Sequence, residues 1–584
     1  MGVAAKTHWD IDWVDRETDW EIEWVDRETL KSSRAENRAG LHRHRDHDRD
    51  PSRTRRERAS PRPAREPRHD PTGGNTASYS DALGEAHPAL ETASPDSIRA
   101  ATLTGIRWGV VARVGIETAS FLSMIVLARL VSPADFGHAA TALAIVAIAN
   151  GMTVESFGTP LVQRKEVSRA HIETSLFLSL ASGLLLSCLV YFLAPLSTDV
   201  FGEKTVSLIQ LASPAFFAVS LSAIPQALQQ RRLNFRTTSV IQLASLAVGL
   251  SASVGLALLG MGARAVVLGQ VLILFAAAVM FVVVTPLVVP RWHRRESRQL
   301  AGFGSQTTLS SLLFSAYSNV DYVVVSAQLG ARATGYYWRA FQIGGVYQGK
   351  ISQIMLSLAL PVYSRTRDLS DMRRVRRRIV QVHAAVIFPL LATYVVVAPV
   401  VVPIVFGKAW IPTVVPSQIL AFAGMVFALG TGGAAVTVAA GRPGVALANN
   451  AVSLCAYFAV VFAFARDGLT VLCLAIVALN TIGYLGTYYV VFDRMLGIPM
   501  RQLGEEVAPA LLSLIPLFAC AIPVAQLLTA ASTPPVLWVA AVGSTAIVAY
   551  TASVWLFFPR TRADLALMVT HVFRGRRAPA SDSP

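Results

Sequence analysis

The chain has 584 residues, of which 53% are apolar and 15% are charged. An ordinary soluble domain is about a quarter charged, so this composition indicates a membrane protein. The net charge of +15 does not indicate nucleic-acid binding, because residues 1–100 hold 17 Lys and Arg against 20 Asp and Glu, which leaves the whole excess in the apolar remainder.

The first 100 residues form a compositional block of their own. An 11-residue tandem repeat starts at Trp9 and again at Trp20, and an Arg-, His-, Asp- and Pro-rich run follows from His42 to Asp70. Such a segment cannot bury enough apolar area to offset its chain entropy, so we predict a disordered cytoplasmic tail. It could serve as a docking tail or a lipid-surface tether, or it could be a dispensable extension or the result of a start codon assigned too far upstream.

Fourteen apolar stretches follow, most of them close to the roughly 20 residues that a spanning helix needs. Basic residues occupy every second gap between them, for example at Arg164, Arg231 and Arg294. Lys and Arg in short loops mark the cytoplasmic side, so both termini are predicted to be cytoplasmic. The predicted spans are about 108–130, 139–160, 172–193, 206–228, 238–259, 265–289, 304–325, 340–361, 380–404, 413–438, 445–464, 470–491, 508–528 and 536–558.

Two parts of the chain resemble each other at a nearly constant offset. The Ser-x3-Pro-x3-Arg spacing that ends at Arg164 recurs at Arg365, 201 residues later, and the exit of the first span around Gly137 aligns with the exit of the seventh around Gly335. Six spans separate the copies, so both enter the membrane in the same direction. Transporters with such parallel repeats hold the substrate between two lobes. Chance similarity of short motifs is the alternative.

These same residues resemble a known family. The first-span exit, Leu127-Ala-Arg-Leu-Val-Ser-Pro-Ala-Asp-Phe-Gly137, resembles the Leu-Ala-Arg-Leu-Leu-x-Pro-x-Asp-[Phe/Tyr]-Gly signature of Wzx-type polysaccharide flippases. The loop from Pro225 to Phe235 and the stretch from Asp321 to Ala340 are similar to the family's fourth-span loop and seventh-span exit. The subgroup that it resembles is the colanic-acid and teichuronic-acid exporters. Thr334 departs from the pattern, since the family often has leucine there.

The resemblance implies the fold of the multidrug/oligosaccharidyl-lipid/polysaccharide (MOP) superfamily. This is an all-α polytopic fold with two parallel six-helix lobes, a V-shaped cavity and two further C-terminal helices. The expected domains are an N-lobe at 101–300, a C-lobe at 301–495, the last two spans at 496–560 and a cytoplasmic tail at 561–584. The expected cargo is undecaprenyl-diphosphate-linked oligosaccharide, flipped across the bacterial inner membrane for surface polysaccharide biosynthesis. Expected partners are membrane lipids and the polysaccharide polymerase and glycosyltransferase machinery.

Ionisable side chains inside spans are costly and normally face a cavity or a partner. Arg113 and Glu117 lie four residues apart on one face of the first span. They form either a cavity-facing pair, in which Arg113 binds a diphosphate oxygen through its planar fork, or a self-satisfied pair within the helix.

Lys350 lies near the middle of the eighth span, with Arg339 and Gln353 on the same polar side. A lysine at that depth costs at least about 2.5–3.5 kcal/mol, so it needs an anion or water. We rank Lys350 first among the candidates for the cargo phosphates. The alternative is that it pairs with Glu117 or Asp321 across the lobe interface.

Two carboxyl groups are candidates for coupling transport to an ion gradient. Asp321 lies near the outer end of the seventh span and Glu155 near the inner end of the second. Either could bind and release a proton or a cation during the cycle, or could instead hold a loop by accepting backbone hydrogen bonds.

Other functions remain open. The chain could be another exporter of the superfamily, for a peptidoglycan lipid precursor or for drugs and cations, or a membrane component of a polysaccharide synthase complex. Enzymes of such pathways usually carry catalytic groups on large external loops, whereas the loops here are short, and no Gly-rich nucleotide-binding motif occurs. We therefore expect a transporter rather than an enzyme, with no cofactor and no metal site.

Overall fold

In a computed structural model of the full chain, the residues described are 95–150, 157–164, 167–285, 288–346, 349, 352, 369–430, 443–495 and 497–563. They form helices joined by short turns, and no strand occurs among them. The main helices are α1 (Pro95–Leu130), α2 (Pro133–Asn150), α3 (Arg169–Leu193), α4 (Thr198–Ala212), α5 (Ala215–Arg231), α6 (Phe235–Leu258), α7 (Ala263–Val284), α8 (Arg294–Tyr317), α9 (Val320–Phe341), α10 (Leu369–Phe406), α11 (Val414–Gly430), α12 (Pro443–Phe464), α13 (Leu469–Thr487), α14 (Met500–Leu512), α15 (Leu514–Ala530) and α16 (Pro535–Phe557).

The helices are long enough to cross a bilayer. Among the described residues, nine helical stretches have the length and apolar character of membrane spans, and one of them, Arg169–Arg231, contains both the third and the fourth predicted spans. The 24 residues of α6 extend about 36 Å at about 1.5 Å per residue, which exceeds the roughly 30 Å of a hydrocarbon core. The predicted all-helical, multi-pass fold is confirmed. Of the predicted N-terminal tail, only residues 95–100 are described, and they begin α1.

The seventh predicted span differs in detail from the prediction. The sequence predicts one run over 304–325, but α8 ends at Tyr317 and the chain resumes as helix at Val320. Inside α9, Gly330 has φ 78 and ψ 173, so the chain turns there. A positive φ of this kind is accessible to glycine and strained for other residues. The part of α9 before Gly330 therefore completes the seventh span, and the part after it begins the eighth.

In the predicted topology, the turns at residues 131, 262, 330, 407 and 468 lie on the outer side of the membrane. We call that end of the helices the outer end. In the first half of the repeat, α2 packs on α4 and α7, around a core that includes Val206, Phe216 and Val267. The C-terminal helices α15 and α16 pack on each other and on α10, and Phe388 and Trp538 lie in their shared core. The most extensive contact between the two halves joins α2 to α9.

Candidate functional site

The two halves meet at the outer end through the first turn of α2 and the part of α9 after Gly330. A Cβ placed on Gly137 would lie 1.6 Å from the carbonyl oxygen of Ala331, and a Cβ placed on Gly335 would lie 1.9 Å from that of Pro133. Real Cβ atoms essentially never come closer than 3.0 Å to such a neighbour. Glycine at both positions therefore lets the helices touch main chain to main chain. Gly137 and Gly335 are the equivalent positions of the repeat predicted from the sequence.

Side-chain hydrogen bonds across the same end reinforce this closure. The Nε of Arg129, at the end of α1, donates to the carbonyl oxygen of Val405 at 3.1 Å, and its guanidinium also donates to that of Ile404. In the opposite direction, the indole Nε1 of Trp410 donates to the carbonyl oxygen of Ala128 at 2.8 Å. Each side chain thus binds carbonyl groups left open at the end of a helix from the other half.

Arg339, predicted to face the cargo, lies inside this closed end. Its side chain is fully buried. The guanidinium carbon lies 4.6 Å from the ring centre of Phe136, 4.7 Å from that of Trp410, and 5.2 Å from those of Trp338 and Phe406. A guanidinium over aromatic faces is attracted by the ring quadrupoles. A cargo phosphate could reach Arg339 only after these rings separate, so its contact with cargo stays a prediction.

Arg113 and Glu117 form an ion pair within α1. The Nε of Arg113 lies 3.1 Å from an Oε of Glu117, and the two side chains are 49% and 17% exposed. The arrangement corresponds to the intrahelical pair that the sequence offered as one of two possibilities. The exposed half of the Arg113 side chain leaves room for an anion, and binding of a diphosphate there remains a prediction.

Asp321 is enclosed by tyrosine residues. Its side chain is 1% exposed and accepts a hydrogen bond from the hydroxyl of Tyr337 at 2.7 Å and one from the backbone N–H of Tyr322 at 2.9 Å. The rings of Tyr317 and Tyr457 pack against each other in the same cluster, with centroids 5.2 Å apart. No Lys, Arg or His from the described helices forms an ion pair with Asp321.

Three predicted site residues, Lys350, Gln353 and Glu155, lie outside the described residues. Ser352, between the first two, is described and buried, and its Oγ lies 2.7 Å from Nε2 of His383 in α10. Ser352 therefore contacts α10.

The sequence did not single out a cavity of about 280 Å³ below the outer closure. Its lining includes Gln270 of α7, Asn319 in the break after α8, Tyr322 and Trp338 of α9, and alanines of α2. The available signal in the sequence is Gln270, an isolated amide within the apolar run that follows Arg264.

The sequence also did not predict the buried ion pair between Arg376 of α10 and Glu506 of α14. The guanidinium donates to Oε2 of Glu506 at 2.8 Å and to the hydroxyl of Tyr488 at 2.9 Å, and it lies 4.6 Å from the ring centre of Phe492. The side chains of the pair are 5% and 0% exposed. The pair joins the C-terminal helices to the second half of the repeat.

Comparison with known proteins gives the family. The family described as polysaccharide biosynthesis protein matches residues 126–415, about half of the chain. The lipopolysaccharide biosynthesis protein WzxC of Escherichia coli K12 is 24% identical over 412 residues, which are 70% of this chain and 84% of that protein. The teichuronic acid biosynthesis protein TuaB of Bacillus subtilis 168 is 24% identical over 381 residues, or 64% of this chain and 78% of that one.

A solved structure shares the fold. The lipid II flippase MurJ, in an inward closed conformation, superposes with a TM-score of 0.62 at 14% identity, and the match covers 77% of this chain and 98% of that one. The family resemblance predicted from the span-exit motifs is confirmed. Residues 126–415 of the chain match the polysaccharide biosynthesis protein family, and the chain shares the fold of MurJ.

Proposed function

We propose that this protein flips undecaprenyl-diphosphate-linked oligosaccharide from the inner to the outer leaflet of the bacterial inner membrane, for surface polysaccharide biosynthesis. The match of residues 126–415 to the polysaccharide biosynthesis family carries the proposal. The contact between Gly137 and Gly335 supports alternating access, because it closes the outer end between the two halves. Both termini lie in the cytoplasm, and polymerase and glycosyltransferase machinery supplies and receives the cargo.

The physical problem is the polar part of the cargo. A diphosphate and several sugars cannot cross about 30 Å of hydrocarbon without replacing the water around them. A cavity between the two halves supplies hydrogen bonds and positive charge in place of water, while the polyprenyl chain stays in the lipid. Because packed interfaces are bistable, binding of cargo or of an ion shifts the halves between inward-open and outward-open states. The cargo is moved and not chemically altered.

The predicted site residues take two roles in this proposal. Lys350 binds the cargo phosphates, with Arg113, Glu117, Arg339 and Gln353 as further contacts along the path. Asp321 and Glu155 couple the cycle to a proton or cation gradient. The enclosure of Asp321 by tyrosine side chains supports this second role, since its carboxyl group lacks a fixed counterion among the described residues.

The test is flipping of a fluorescent undecaprenyl-diphosphate oligosaccharide in proteoliposomes, read by an impermeant quencher. We expect the wild type to transport and Lys350→Ala to lose most of its rate, because the phosphates lose their cation. Lys408→Ala is the matched control, since Lys408 is exposed in an outer turn.

Three other outcomes would change the assignment. Equal transport by both lysine variants removes Lys350 from the path. Transport of lipid II in preference to the polysaccharide precursor assigns the protein to peptidoglycan synthesis. Absence of transport by an inserted, folded wild type, with and without proton or sodium gradients, refutes the flippase proposal.

A further inference from the structure

The cavity below the outer closure lies between the two halves of the repeat. Helices α2 and α7 supply one side of its wall, and Asn319 and α9 supply the other. Its volume of about 280 Å³ is just below the range for small-molecule pockets, about 300–1,000 Å³. A space of this size holds one ring of a cargo rather than a whole oligosaccharide.

Two amide side chains line the cavity from opposite sides. Gln270 is exposed, although Arg264 is the only other polar side chain of its helix, and no described residue hydrogen-bonds its side-chain amide. Asn319 uses its Nδ2 to donate to the carbonyl oxygen of Ser315 at 2.9 Å, and its Oδ1 stays available as an acceptor. A carboxamide presents a donor and an acceptor side by side, which matches the paired donor and acceptor character of neighbouring hydroxyl groups.

Trp338 adds an aromatic wall. Its ring packs on Phe136 with centroids 5.6 Å apart and planes inclined by 24°, so its orientation is fixed by its neighbour. The face of an aromatic ring carries partial negative charge and packs well against weakly positive C–H groups. The axial C–H face of a pyranose ring has this character.

The cavity also lacks the means to hold a phosphate. None of the described residues that line it carries a charge. Moving an anion into such a space costs far more than moving a neutral hydroxylated ring. Polar amides, a fixed aromatic wall and the absence of charge together select an uncharged sugar.

We propose that this cavity is a sugar subsite, in which Gln270, Asn319 and Trp338 bind one neutral pyranose ring of the cargo. The inference rests on the proposed function and adds an orientation to it: the glycan lies toward the outer end and the diphosphate toward the inner end. Since both halves of the repeat build the wall, the subsite comes apart when the outer end opens, and the sugar is released on that side.

The test compares lipids that differ only in the sugar. Binding of the purified full chain in detergent is measured by microscale thermophoresis for undecaprenyl diphosphate alone and for the same lipid bearing one glucose, galactose or N-acetylglucosamine. We expect at least one of the glycosylated lipids to bind more tightly than the bare lipid. Gln270→Leu should weaken that binding about three- to tenfold, as expected for one lost hydrogen bond, and leave the bare lipid unchanged.

Two further variants make the test decisive. Gln270→Trp, which fills the cavity, should abolish the advantage of the glycosylated lipid. Gln242→Leu makes the same change at an exposed glutamine of α6 outside the cavity lining and should alter nothing.

The two proposals fail in different ways. If no sugar improves binding, or if Gln270→Leu weakens the bare lipid equally, the sugar subsite is refuted while lipid-diphosphate binding stands. If the wild type binds none of the four lipids, the proposed flippase function fails and the subsite fails with it.

Discussion

The carboxyl group of Asp321 is closed away from water and is held by the hydroxyl of Tyr337 and the backbone of Tyr322. A carboxylate in the membrane region needs a partner, a proton or a bound cation. The two hydrogen bonds fix the orientation of the carboxyl group. A proton or a cation that neutralises it can bind and leave. This arrangement suits a carboxyl group that binds a proton or a cation and then releases it during the transport cycle.

Replacing Asp321 with asparagine tests whether this residue couples transport to an ion gradient while the fold is kept. Asparagine keeps the size and an acceptor oxygen for the Tyr322 N–H, so the fold should persist, but it cannot bind a proton or hold a cation by charge. We expect the stimulation of flipping by a proton or sodium gradient to fall to the rate seen without a gradient. Transport is measured in proteoliposomes with and without each gradient.

Asp467→Asn serves as the control, because Asp467 lies exposed in an outer turn. Gradient stimulation that survives in Asp321→Asn would leave Asp321 with a structural role only.

At the scale of elements, the crossing of α2 and α9 is made by main-chain atoms. Gly137 and Gly335 bring each helix against carbonyl groups of the other. The small-residue contact here resembles those that hold helices together in lipid, where close approach replaces the hydrophobic effect as the source of attraction. The close approach of α2 and α9 thus depends on two positions that carry no side chain.

Adding one methyl group should hold this end open. In Gly137→Ala, the new Cβ overlaps the carbonyl oxygen of Ala331, so α2 and α9 must separate. We expect a cysteine introduced at Ala140, beside the cavity and 3% exposed, to react several-fold faster with an impermeant maleimide added from outside. The measurement uses a background without the four native cysteines.

Gly255→Ala is the matched change, since a Cβ at Gly255 in α6 meets nothing within 4 Å. Equal labelling in the two variants would show that the glycine crossing does not govern closure.

The helical fold and the glycine contact could be predicted from the sequence, whereas contacts between distant side chains could not. Apolar length predicts the multi-pass helical fold that the structure confirms, and the aligned exits pair Gly137 with Gly335, which contact each other in the fold. The surroundings of Arg339 could not be predicted, because Phe136, Phe406 and Trp410 come from other parts of the chain and meet only in the fold. The ion pair of Arg376 and Glu506 spans 130 residues, and no local pattern encodes such a pairing.

At the scale of the whole molecule, this ion pair ties α14 and the helices after it to α10. Arg376 also contacts the rings of Tyr488 and Phe492, so it joins two segments of the second half to α14. Removing one partner of a buried pair leaves an uncompensated charge, which costs about 3–5 kcal/mol. The attachment of the last helices therefore depends strongly on one side chain.

Substitution of Arg376 should reveal this dependence. We expect Arg376→Met to lower the free energy of unfolding by about 3–5 kcal/mol, and Arg376→Met combined with Glu506→Gln to recover part of the loss. Arg501→Met disrupts the neighbouring pair with Glu505, whose side chains are 89% and 53% exposed, and should cost less than about 1 kcal/mol. Unfolding is followed by circular dichroism in mixed micelles titrated with SDS. Similar losses for Arg376→Met and Arg501→Met would refute a special role for the buried pair.

The glycine crossing has a further consequence for the thermodynamics of the cycle. A contact between side chains orders rotamers when it forms and frees them when it breaks, which adds an entropy change to each turn of the cycle. Gly137 and Gly335 have no rotamers to order. The glycine contact itself therefore adds no side-chain entropy change when α2 and α9 separate and rejoin, and the change that does occur at this end comes from side chains such as Phe136, Trp338 and Arg339.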